Sequence, residues 1–513
     1  MVNKVTTATI IGLNAYEVSV ETDVQSGLPS FSVVGLPDTA VNEAKDRVRS
    51  ALKNSGFTFP SGKIVINLAP ADLKKGGTSF DLPIAVGILI EENVLFEDKV
   101  KSYGFVGELS LDGAIRPVRG VLPIVLGLKE LGIKNIIVPF ANVQEASLID
   151  EINIYGAKCL AEVVNHFTEE ALKPYKTDIR EYLNSINNDF AYDFKDVKGQ
   201  QKVKRALEIA AAGGHNLLMT GSPGSGKTLM AKCFASILPP LELSEALELT
   251  KIYSVCGLLP EDKPLVTSRP FRAVHHKASA NGIIGGGSNP MPGEITLAHR
   301  GVLFLDEMVE FPRNVLEVLR QPLEDGEIVI SRTKHSVKYP AKFMLLGAMN
   351  PCPCGFLGDK EKQCTCSEFM INRYLAKLSG PLLDRIDLQI DVTRLTASEL
   401  LQTNDEGESS AQIRQRVIKA RNIQLKRYAN ENILTNSELN SKLIKKYCQI
   451  DEASKEIFKA AILKYGLSGR RYDRTLKLAR TIADLEGSEL ISQTHLMQAL
   501  QYKMFDKDAL LNC

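Results

Sequence analysis

The chain has 513 residues, of which 44% are hydrophobic and 24% are charged, so it is long enough to form about three globular domains. Its formal net charge of +1 excludes a protein that coats nucleic acid or a membrane through a strong overall field, but not one with a locally basic groove or ring pore. No stretch approaches about 20 uninterrupted apolar residues, and the N-terminus has no basic segment followed by a long apolar run. We therefore expect a cytoplasmic protein that does not enter a membrane.

The pattern of apolar residues divides the chain into four parts. Residues 1–167 contain short apolar runs separated by Gly, Pro and Asp, which is typical of a mixed α+β domain. Residues 168–195 are polar and are predicted to be a linker. A helical stripe and several buried strands predict an α/β domain over residues 196–395. Residues 396–513 have a helical pattern without strands, which predicts an all-helical C-terminal lid.

The sequence GSPGSGKT has the spacing of a phosphate-binding loop for ATP. Its glycines let the backbone curl until successive amide groups face one anion. The preceding HNLLMT predicts a strand, and the following LMAKCFASIL predicts a helix whose N-terminus meets the phosphates. Lys227 is expected at the β and γ phosphates, and Thr228 on Mg²⁺. The loop comprises Gly221, Ser222, Pro223, Gly224, Ser225, Gly226, Lys227 and Thr228.

Two further strands end in polar residues. GVLFL is followed directly by Asp306 and Glu307, and KFMLLGAMNP carries Asn350 after its apolar run. A carboxylate at a strand end suits a hard cation, so Asp306 is predicted to bind Mg²⁺ together with Thr228. Glu307 is predicted to orient and deprotonate the attacking water. Asn350 is predicted to sense the γ-phosphate, and the alternative is an asparagine that only forms a turn.

Two segments have residues suited to contacts with a nucleic-acid backbone. One lies within FRAVHHKASANGIIGGGSNPMPGEITLAHRG, whose glycines predict a flexible loop, and the other within GEIVISRTKHSVKYPAKF, which predicts a basic hairpin. The alternatives are ordinary hydrogen bonding by the histidines and a solvated turn for the hairpin. The candidate residues are Arg272, His275, His276, Lys277, Gly285, Gly286 and Gly287 in the first segment and Arg332, Lys334, His335 and Lys338 in the second.

Four of the nine cysteines cluster in NPCPCGFLGDKEKQCTCSEF. Four thiolates on a short loop rich in Pro and Gly suit a tetrahedral zinc ion, and four protein ligands leave no open position for catalysis. A structural zinc site is therefore predicted, with a redox pair, an iron–sulfur cluster and unliganded thiols as alternatives. The residues are Cys352, Cys354, Cys364 and Cys366.

Two arginines are candidates for contacts with the nucleotide. Arg385 lies in SGPLLDRIDLQI, where it can reach the nucleotide of a neighbouring subunit or form an intrasubunit salt bridge with Asp384 or Asp387. Arg470 begins a helix in SGRRYDRTLKLAR, from which a cation can close over the phosphates. The alternatives to Arg470 are Arg471, Arg474 and Arg480.

Together and in this order, the phosphate loop, LFLDE, AMNPCPCG, GPLLDRID and the arginine-rich lid resemble the ComM/YifB family of magnesium-chelatase-like AAA+ ATPases. The resemblance covers nearly the whole chain. It implies a ring-forming homo-oligomer, usually a hexamer, in which Arg385 acts in trans and Arg470 is the sensor of the lid. Family members are implicated in branch migration of DNA during natural transformation, which implies a motor acting on DNA. The alternative is a protein-remodelling or chelatase-type motor that acts on a protein partner.

The N-terminal domain resembles the Lon-protease-type fold, which raises the hypothesis of a peptidase. Ser79 in KKGGTSFDL corresponds to the position of the nucleophile in that fold. The position of the activating lysine corresponds to Leu122, and a serine hydroxyl without a base is a weak nucleophile. A scaffold for substrate engagement or assembly is therefore favoured over a Lon-like peptidase.

Overall fold

The structure, a computed structural model, describes residues 2–502 except 180–181, 183–189, 261, 288–289, 332–335, 360, 396–406 and 466–467. The chain forms two compact units. The first comprises Met1–Ile186 and Leu243–Thr267, and the second comprises Asn187–Glu242 and Ser268–Cys513. The segment Leu243–Thr267, which lies in the part of the sequence assigned to the ATPase domain, thus packs with the N-terminal unit. Among the described residues, no helix combines the length and apolar character needed to cross a membrane.

The first unit is built on a mixed β-sheet. Its strands are β1 Asn3–Ile11, β2 Asn14–Gln25, β3 Ser30–Val34, β4 Lys63–Ala69, β5 Tyr103–Phe105, β6 Glu108–Leu109, β7 Ile115–Arg116, β8 Asn135–Pro139 and β9 Asn153–Ala157. Seven of them form one sheet in the order β3-β4-β2-β1-β5-β8-β9, and β6 pairs with β7. In β4, Ile64, Ile66 and Leu68 are fully buried and alternate with less buried residues, as the period of a strand requires.

Helices cover this sheet and confirm the predicted α+β class of the N-terminal domain. They comprise Thr39–Asn54, Asp81–Glu91, Glu97–Val100, Val121–Glu130, Val143–Ala146, Leu160–Glu169 and Leu243–Cys256. The first long helix begins after Asp38, whose side chain accepts a hydrogen bond from the Val41 N–H at 2.9 Å. Val41, Ala44 and Val48 repeat at helical spacing on its buried face.

Helix Leu243–Cys256 is fixed to the first unit by a buried polar contact. The Ser254 hydroxyl donates to the carboxylate of Glu145, which also accepts the N–H of Leu122 at 3.0 Å. The carbonyl oxygen of Ser254 accepts the N–H of Gly120 at 3.1 Å. Burial raises the pKa of Glu145, so removal of its hydrogen-bond donors would leave a costly buried acid.

The second unit contains a parallel β-sheet. Its strands are β10 Leu217–Thr220, β11 Phe271–Val274, β12 Gly285–Gly286, β13 Met291–Pro292, β14 Val302–Leu305, β15 Glu327–Ser331, β16 Ser336–Pro340, β17 Met344–Met349 and β18 Leu388–Asp391. Five of these strands form the sheet in the order β11-β14-β17-β10-β18, with every neighbouring pair parallel. β10, β14 and β17 are buried along their whole length, which explains their continuous apolar sequences.

Helices surround the parallel sheet and continue to the C-terminus. Those of the core are Gln201–Gly213, Lys227–Phe234, Ala280–Ile284, Glu294–Leu297, Arg313–Val318, Arg320–Asp325, Glu368–Leu375 and Gly380–Leu383. Those of the lid are Ser410–Arg427, Ser441–Tyr447, Glu452–Tyr465, Gly469–Leu485 and Gln493–Gln501. The predicted α/β core with a helical lid is confirmed. Ser409 begins the lid with a capping box, in which its side chain and that of Gln412 each bond the other's backbone N–H.

A buried polar network joins the lid helices. The Tyr428 hydroxyl donates to Asn436 Oδ1 at 2.6 Å, and the Asn436 amide donates to Asp484 Oδ2 at 2.8 Å. Arg427 donates to both carboxylate oxygens of Asp484, at 2.9 and 2.5 Å. Because every member has a partner, the network fixes one arrangement of these helices.

Described residues near each end of the predicted linker, 168–195, pack within one of the two units. The Tyr175 N–H donates to the Ile154 carbonyl at 2.7 Å in the first unit. Phe194 is fully buried in the core of the second, where its N–H donates to the Ser410 hydroxyl at 2.8 Å.

Candidate nucleotide-binding site

The phosphate-binding loop follows β10 at the carboxyl edge of the parallel sheet. Gly224 and Gly226 have φ angles of 78° and 92°, a left-handed conformation that favours glycine. A Cβ atom added to either glycine would have no neighbour within 4 Å, so space above the loop is open. The buried hydroxyl oxygen of Ser225 has no hydrogen-bond partner among the described residues. Open space and an unused donor both fit a bound phosphate group.

Lys227 is held inside this loop. Its ammonium donates to the carbonyl oxygens of Gly221 and Ser222, at 2.6 and 3.0 Å, and to Asn350 Oδ1 at 3.3 Å. Burial lowers the pKa of Lys227, and the nearby charges of Asp306 and Glu307 oppose that effect. A phosphate at this position would therefore stabilise the charged form of the lysine. Asn350 lies beside the loop, where the sequence placed a sensor.

The two residues predicted to bind Mg²⁺ are in direct contact. The Thr228 hydroxyl donates to Asp306 Oδ2 at 2.7 Å. The other carboxylate oxygen, Oδ1, accepts the N–H of Glu307 at 2.9 Å. A hydroxyl and a carboxylate side by side next to a phosphate-binding loop are the oxygen donors that Mg²⁺ takes when it also binds substrate phosphates.

Glu307 has an unusual backbone conformation and a partner that the sequence did not reveal. Its φ is 50°, a left-handed conformation that costs a non-glycine residue about 1 kcal/mol or more. Its carboxylate lies 3.3 Å from Nδ1 of His276. The His276 ring packs against that of His275, with centroids 4.2 Å apart and the ring planes tilted by 34°. His276, predicted as a DNA contact, is therefore placed against the predicted catalytic glutamate. It gets there because it follows β11, which is the neighbour of β14.

Arg385 and Arg470 converge on one carboxylate. The Arg385 side chain is buried, donates to the Pro381 carbonyl at 2.7 Å and forms an ion pair with Glu324. Arg470 lies 3.5 Å from the other oxygen of Glu324 and keeps 67% of its side chain exposed. The two arginines thus lie on the same side of the ATPase unit.

The intrasubunit partners proposed for Arg385 from the sequence are wrong. Asp384 is 2.9 Å from Arg471, and Asp387 is 3.0 Å from Arg474. Both aspartates are therefore used to attach helix Gly469–Leu485 of the lid to the core, and Arg385 turns instead to Glu324. The sequence could not reveal these pairings, because Glu324, Arg471 and Arg474 all lie far along the chain from residues 384–387.

In the first of the two segments predicted to contact DNA, the structure shows partners within the protein for two of the candidate residues. Arg272 donates to both oxygens of Glu294, at 2.7 and 2.8 Å, so its charge is paired. Gly285 is buried and pairs with Pro292, and a Cβ at Gly285 would lie 2.2 Å from the Met291 carbonyl oxygen. The glycine segment is therefore ordered at this point, and the prediction of a flexible loop is wrong there.

The basic hairpin exists. β15 and β16 pair antiparallel from Glu327 opposite Pro340 to Ser331 opposite Ser336. Lys338 in its stem forms a 2.9 Å ion pair with Glu327. The residues at its tip, Arg332, Lys334 and His335, lie outside the described residues.

The four clustered cysteines come together, as the sequence predicted. The Sγ atom of Cys352 lies 3.4 Å from that of Cys354 and 3.6 Å from that of Cys364, and Cys354 lies 3.5 Å from Cys364. All four sulfur atoms, including that of Cys366, lie within 4.8 Å of one another.

The position that corresponds to the activating lysine of the Lon-type fold holds an apolar residue that is buried. Leu122 is fully buried at the start of helix Val121–Glu130. It provides no base for Ser79, whose carbonyl oxygen accepts the N–H of Gly107 at 3.1 Å. The geometry thus gives the peptidase hypothesis no support.

The parallel sheet and the groups at its carboxyl edge define a P-loop nucleotide-binding protein of the AAA+ class. Sequence profiles agree with this class. The profile described as "Magnesium chelatase, subunit ChlI" matches residues 193–400, "Subunit ChlI of Mg-chelatase" matches residues 20–142, and "Magnesium chelatase, subunit ChlI C-terminal" matches residues 407–503.

Individual relatives identify the family. The chain is 45% identical over 496 residues to competence protein ComM of Haemophilus influenzae, covering 96% of each protein. It is 43% identical over 508 residues to YifB of Escherichia coli, covering 98% of this chain and 97% of YifB. It is 25% identical over 322 residues to a magnesium-chelatase subunit ChlI homolog of Methanocaldococcus jannaschii, covering 55% of this chain and 81% of that protein. The chain therefore belongs to the ComM/YifB family of magnesium-chelatase-like AAA+ ATPases.

Proposed function

We propose that this protein is an ATP-hydrolysing, ring-forming motor that acts on DNA, with branch migration in the recombination of incoming DNA as its activity. The observation that carries the hydrolytic part is the cluster at the carboxyl edge of the parallel sheet. There Lys227 contacts Asn350, and Thr228 contacts Asp306 next to Glu307. Each group has one task in phosphoryl transfer to water.

The tasks follow from the contacts. The loop amides and Lys227 hold the β and γ phosphates, and Asn350 keeps the lysine directed into the loop. Thr228 and Asp306 would hold Mg²⁺, which neutralises negative charge on the phosphates when bound. The Glu307 carboxylate accepts a proton from the attacking water. A proton on Nδ1 of His276, which lies 3.3 Å from the Glu307 carboxylate, would let the ring donate to that carboxylate and fix its direction.

The two arginines at Glu324 support the proposal that the protein forms a ring. Arg385 is proposed to stabilise the transition state at the nucleotide of the neighbouring subunit. Its ion pair with Glu324 keeps the guanidinium in place until a phosphate of that nucleotide competes for it. Arg470 contacts the same carboxylate, which favours a role for the lid sensor at the same subunit boundary.

The DNA cargo is supported by family membership and by the name of one relative, a competence protein. A second candidate is a motor that remodels a protein partner. It is favoured by the matches to magnesium-chelatase subunits over residues 20–142, 193–400 and 407–503. ATP hydrolysis measured with single-stranded, duplex and four-way junction DNA separates the two. Stimulation by DNA is expected. Equal rates with and without every DNA would refute the DNA motor and leave the protein-remodelling motor.

Replacing His276 by alanine is expected to lower kcat on the order of tenfold, part of the roughly 10²- to 10⁴-fold contribution of a general base. Glu307 would keep its carboxylate but lose the partner that orients it. Steady-state phosphate release should show little change in KM for ATP, because His276 contacts the glutamate rather than the loop.

The matched control is His275→Ala, which removes the neighbouring ring but not the contact with Glu307. His276→Asn, which keeps a hydrogen-bond donor, should recover part of the rate. A His276→Ala enzyme as fast as the parent would refute the positioning role.

Replacing both Arg332 and Lys334 by alanine is expected to reduce DNA-stimulated hydrolysis while basal hydrolysis persists. A basic hairpin contacts the phosphate backbone, so binding should be independent of sequence and weaken steeply with salt. Lys338→Ala is the control in the same hairpin, because that lysine is paired with Glu327. The hairpin has no role in DNA binding if the double variant keeps full stimulation and the same dependence on salt.

A further inference from the structure

The cysteine loop, defined as residues 352–359 and 361–366, has the geometry of a metal site. Zinc–sulfur bonds of about 2.3 Å place the sulfur atoms of a tetrahedron about 3.8 Å apart. The three shortest separations between sulfur atoms, 3.4 to 3.6 Å, and the 4.8 Å within which all four lie bracket that value. They exceed the length of a disulfide bond, about 2.0 Å, and each sulfur faces several others rather than one partner.

Backbone donors surround these sulfur atoms. The Cys354 N–H donates to Sγ of Cys366 at 3.4 Å, and the Cys366 N–H donates to Sγ of Cys364 at 3.5 Å. Such bonds stabilise thiolates around a bound cation and fix their orientation. In a closed shell of four sulfur ligands there is no open coordination position, so the chemistry indicates a structural ion.

The cysteine loop is also hydrogen-bonded to the phosphate-binding loop. Asp359, between the two cysteine pairs, accepts a hydrogen bond from the Ser222 hydroxyl at 2.5 Å. The other oxygen of Asp359 is held by the N–H groups of Glu361 and Lys362, at 2.9 and 3.1 Å. This arrangement, with the Ser222 bond as its largest cause, holds the pKa of Asp359 at about 2, so the carboxylate stays charged at neutral pH.

A second contact lies beside the first. Gly355 has a φ of 85°, and a Cβ at this position would lie 2.6 Å from Cδ of Pro223 in the phosphate-binding loop. Only glycine permits this approach. Arg394 adds a bridge, because it donates to the Pro223 carbonyl at 3.0 Å and lies 3.7 Å from Glu361 of the cysteine loop.

We propose that Cys352, Cys354, Cys364 and Cys366 hold one structural Zn²⁺ ion, and that the metal-closed loop is a latch that sets the conformation and nucleotide affinity of the phosphate-binding loop. The described residues between β17 and helix Glu368–Leu375 form no helix or strand that could fix the loop. The metal supplies this restraint instead: four thiols lose their protons to solvent as their sulfur atoms bind the ion. Asp359 and Gly355 are then presented to Ser222 and Pro223.

The metal assignment is tested on the full chain by elemental analysis. About one zinc ion per chain is expected for the parent and for Cys159→Ser, whose cysteine lies outside the loop. Zinc should be lost from the double variant Cys364→Ser/Cys366→Ser. The parent stripped of zinc by a chelator and then reloaded provides a second comparison, in case the variant does not fold. A parent without zinc, or with iron in its place, overturns the zinc site, as does a double variant that keeps its zinc.

The latch is tested by titration with a fluorescent ADP analogue, and it rests on nucleotide binding at the proposed site. Zinc removal and Asp359→Ala are each expected to raise the Kd about tenfold, because a charge-assisted hydrogen bond to the loop is lost. Asp359→Asn, which keeps an acceptor for Ser222, should lie between the parent and the alanine variant. Glu456→Gln, a change on an exposed lid helix, should bind like the parent.

The outcomes separate the two ideas. Parent-like affinity of both the stripped protein and Asp359→Ala overturns the latch while the zinc site stands. A parent that contains zinc but binds no nucleotide refutes the proposed ATPase, and the latch with it, but not the metal site.

Discussion

Replacing Glu307 by glutamine is expected to lower the rate of ATP hydrolysis by roughly 10²- to 10⁴-fold and to leave ATP binding close to that of the parent. Glutamine keeps the size of the side chain and an oxygen that His276 can reach. A carboxamide cannot take a proton from the attacking water. The contact of Lys227 with the loop and that of Thr228 with Asp306, on which nucleotide affinity depends, are unchanged.

The measurement pairs steady-state phosphate release with equilibrium binding of ATP. Glu310→Gln is the control, because Glu310 lies in the same turn and its carboxylate forms a 3.6 Å ion pair with Lys377. Lys227→Ala should give the complementary result, a loss of nucleotide binding itself, since it removes the cation that faces the phosphates. Hydrolysis at the parent rate by Glu307→Gln would show that another group activates the water.

Arg385→Ala is expected to depress turnover of the assembled ring by about 10³- to 10⁵-fold, the range in which an arginine supplied to a neighbouring nucleotide acts. Binding of ATP by a single subunit should be nearly intact. The variant should restore activity when it is mixed with Lys227→Ala, because each protein lacks a different half of a shared site. Phosphate release measured across mixing ratios checks this result.

Glu324→Gln provides the sharpest control for Arg385. It removes the charge of the ion pair but leaves the arginine in place. If Arg385 serves only to hold Glu324 within one subunit, Glu324→Gln should be as inactive as Arg385→Ala, and no mixture with Lys227→Ala should recover activity. If Arg385 acts in trans, Glu324→Gln should keep most of the turnover.

Several parts of this protein were predictable from sequence because they depend on local pattern. The phosphate-binding loop, the strand that precedes Asp306 and the helical lid each depend on residues close in the chain. Their glycine positions, apolar runs or helical periodicity determine their conformation. The cysteine cluster was predictable for the same reason, since its members lie within one short loop.

The partners of these groups were decided only by the tertiary structure. His276 meets Glu307 because β11 pairs with β14, and Asp359 meets Ser222 because β17 pairs with β10. The ion pair of Arg385 with Glu324 depends on how two separate helical segments pack. Sequence pattern specifies which face of a strand or helix is buried, but not which distant element covers it. For the same reason the segment Leu243–Thr267 has the sequence of an ordinary helix and loop. Only its packing, which includes the contact of Ser254 with the buried Glu145, assigns it to the N-terminal unit.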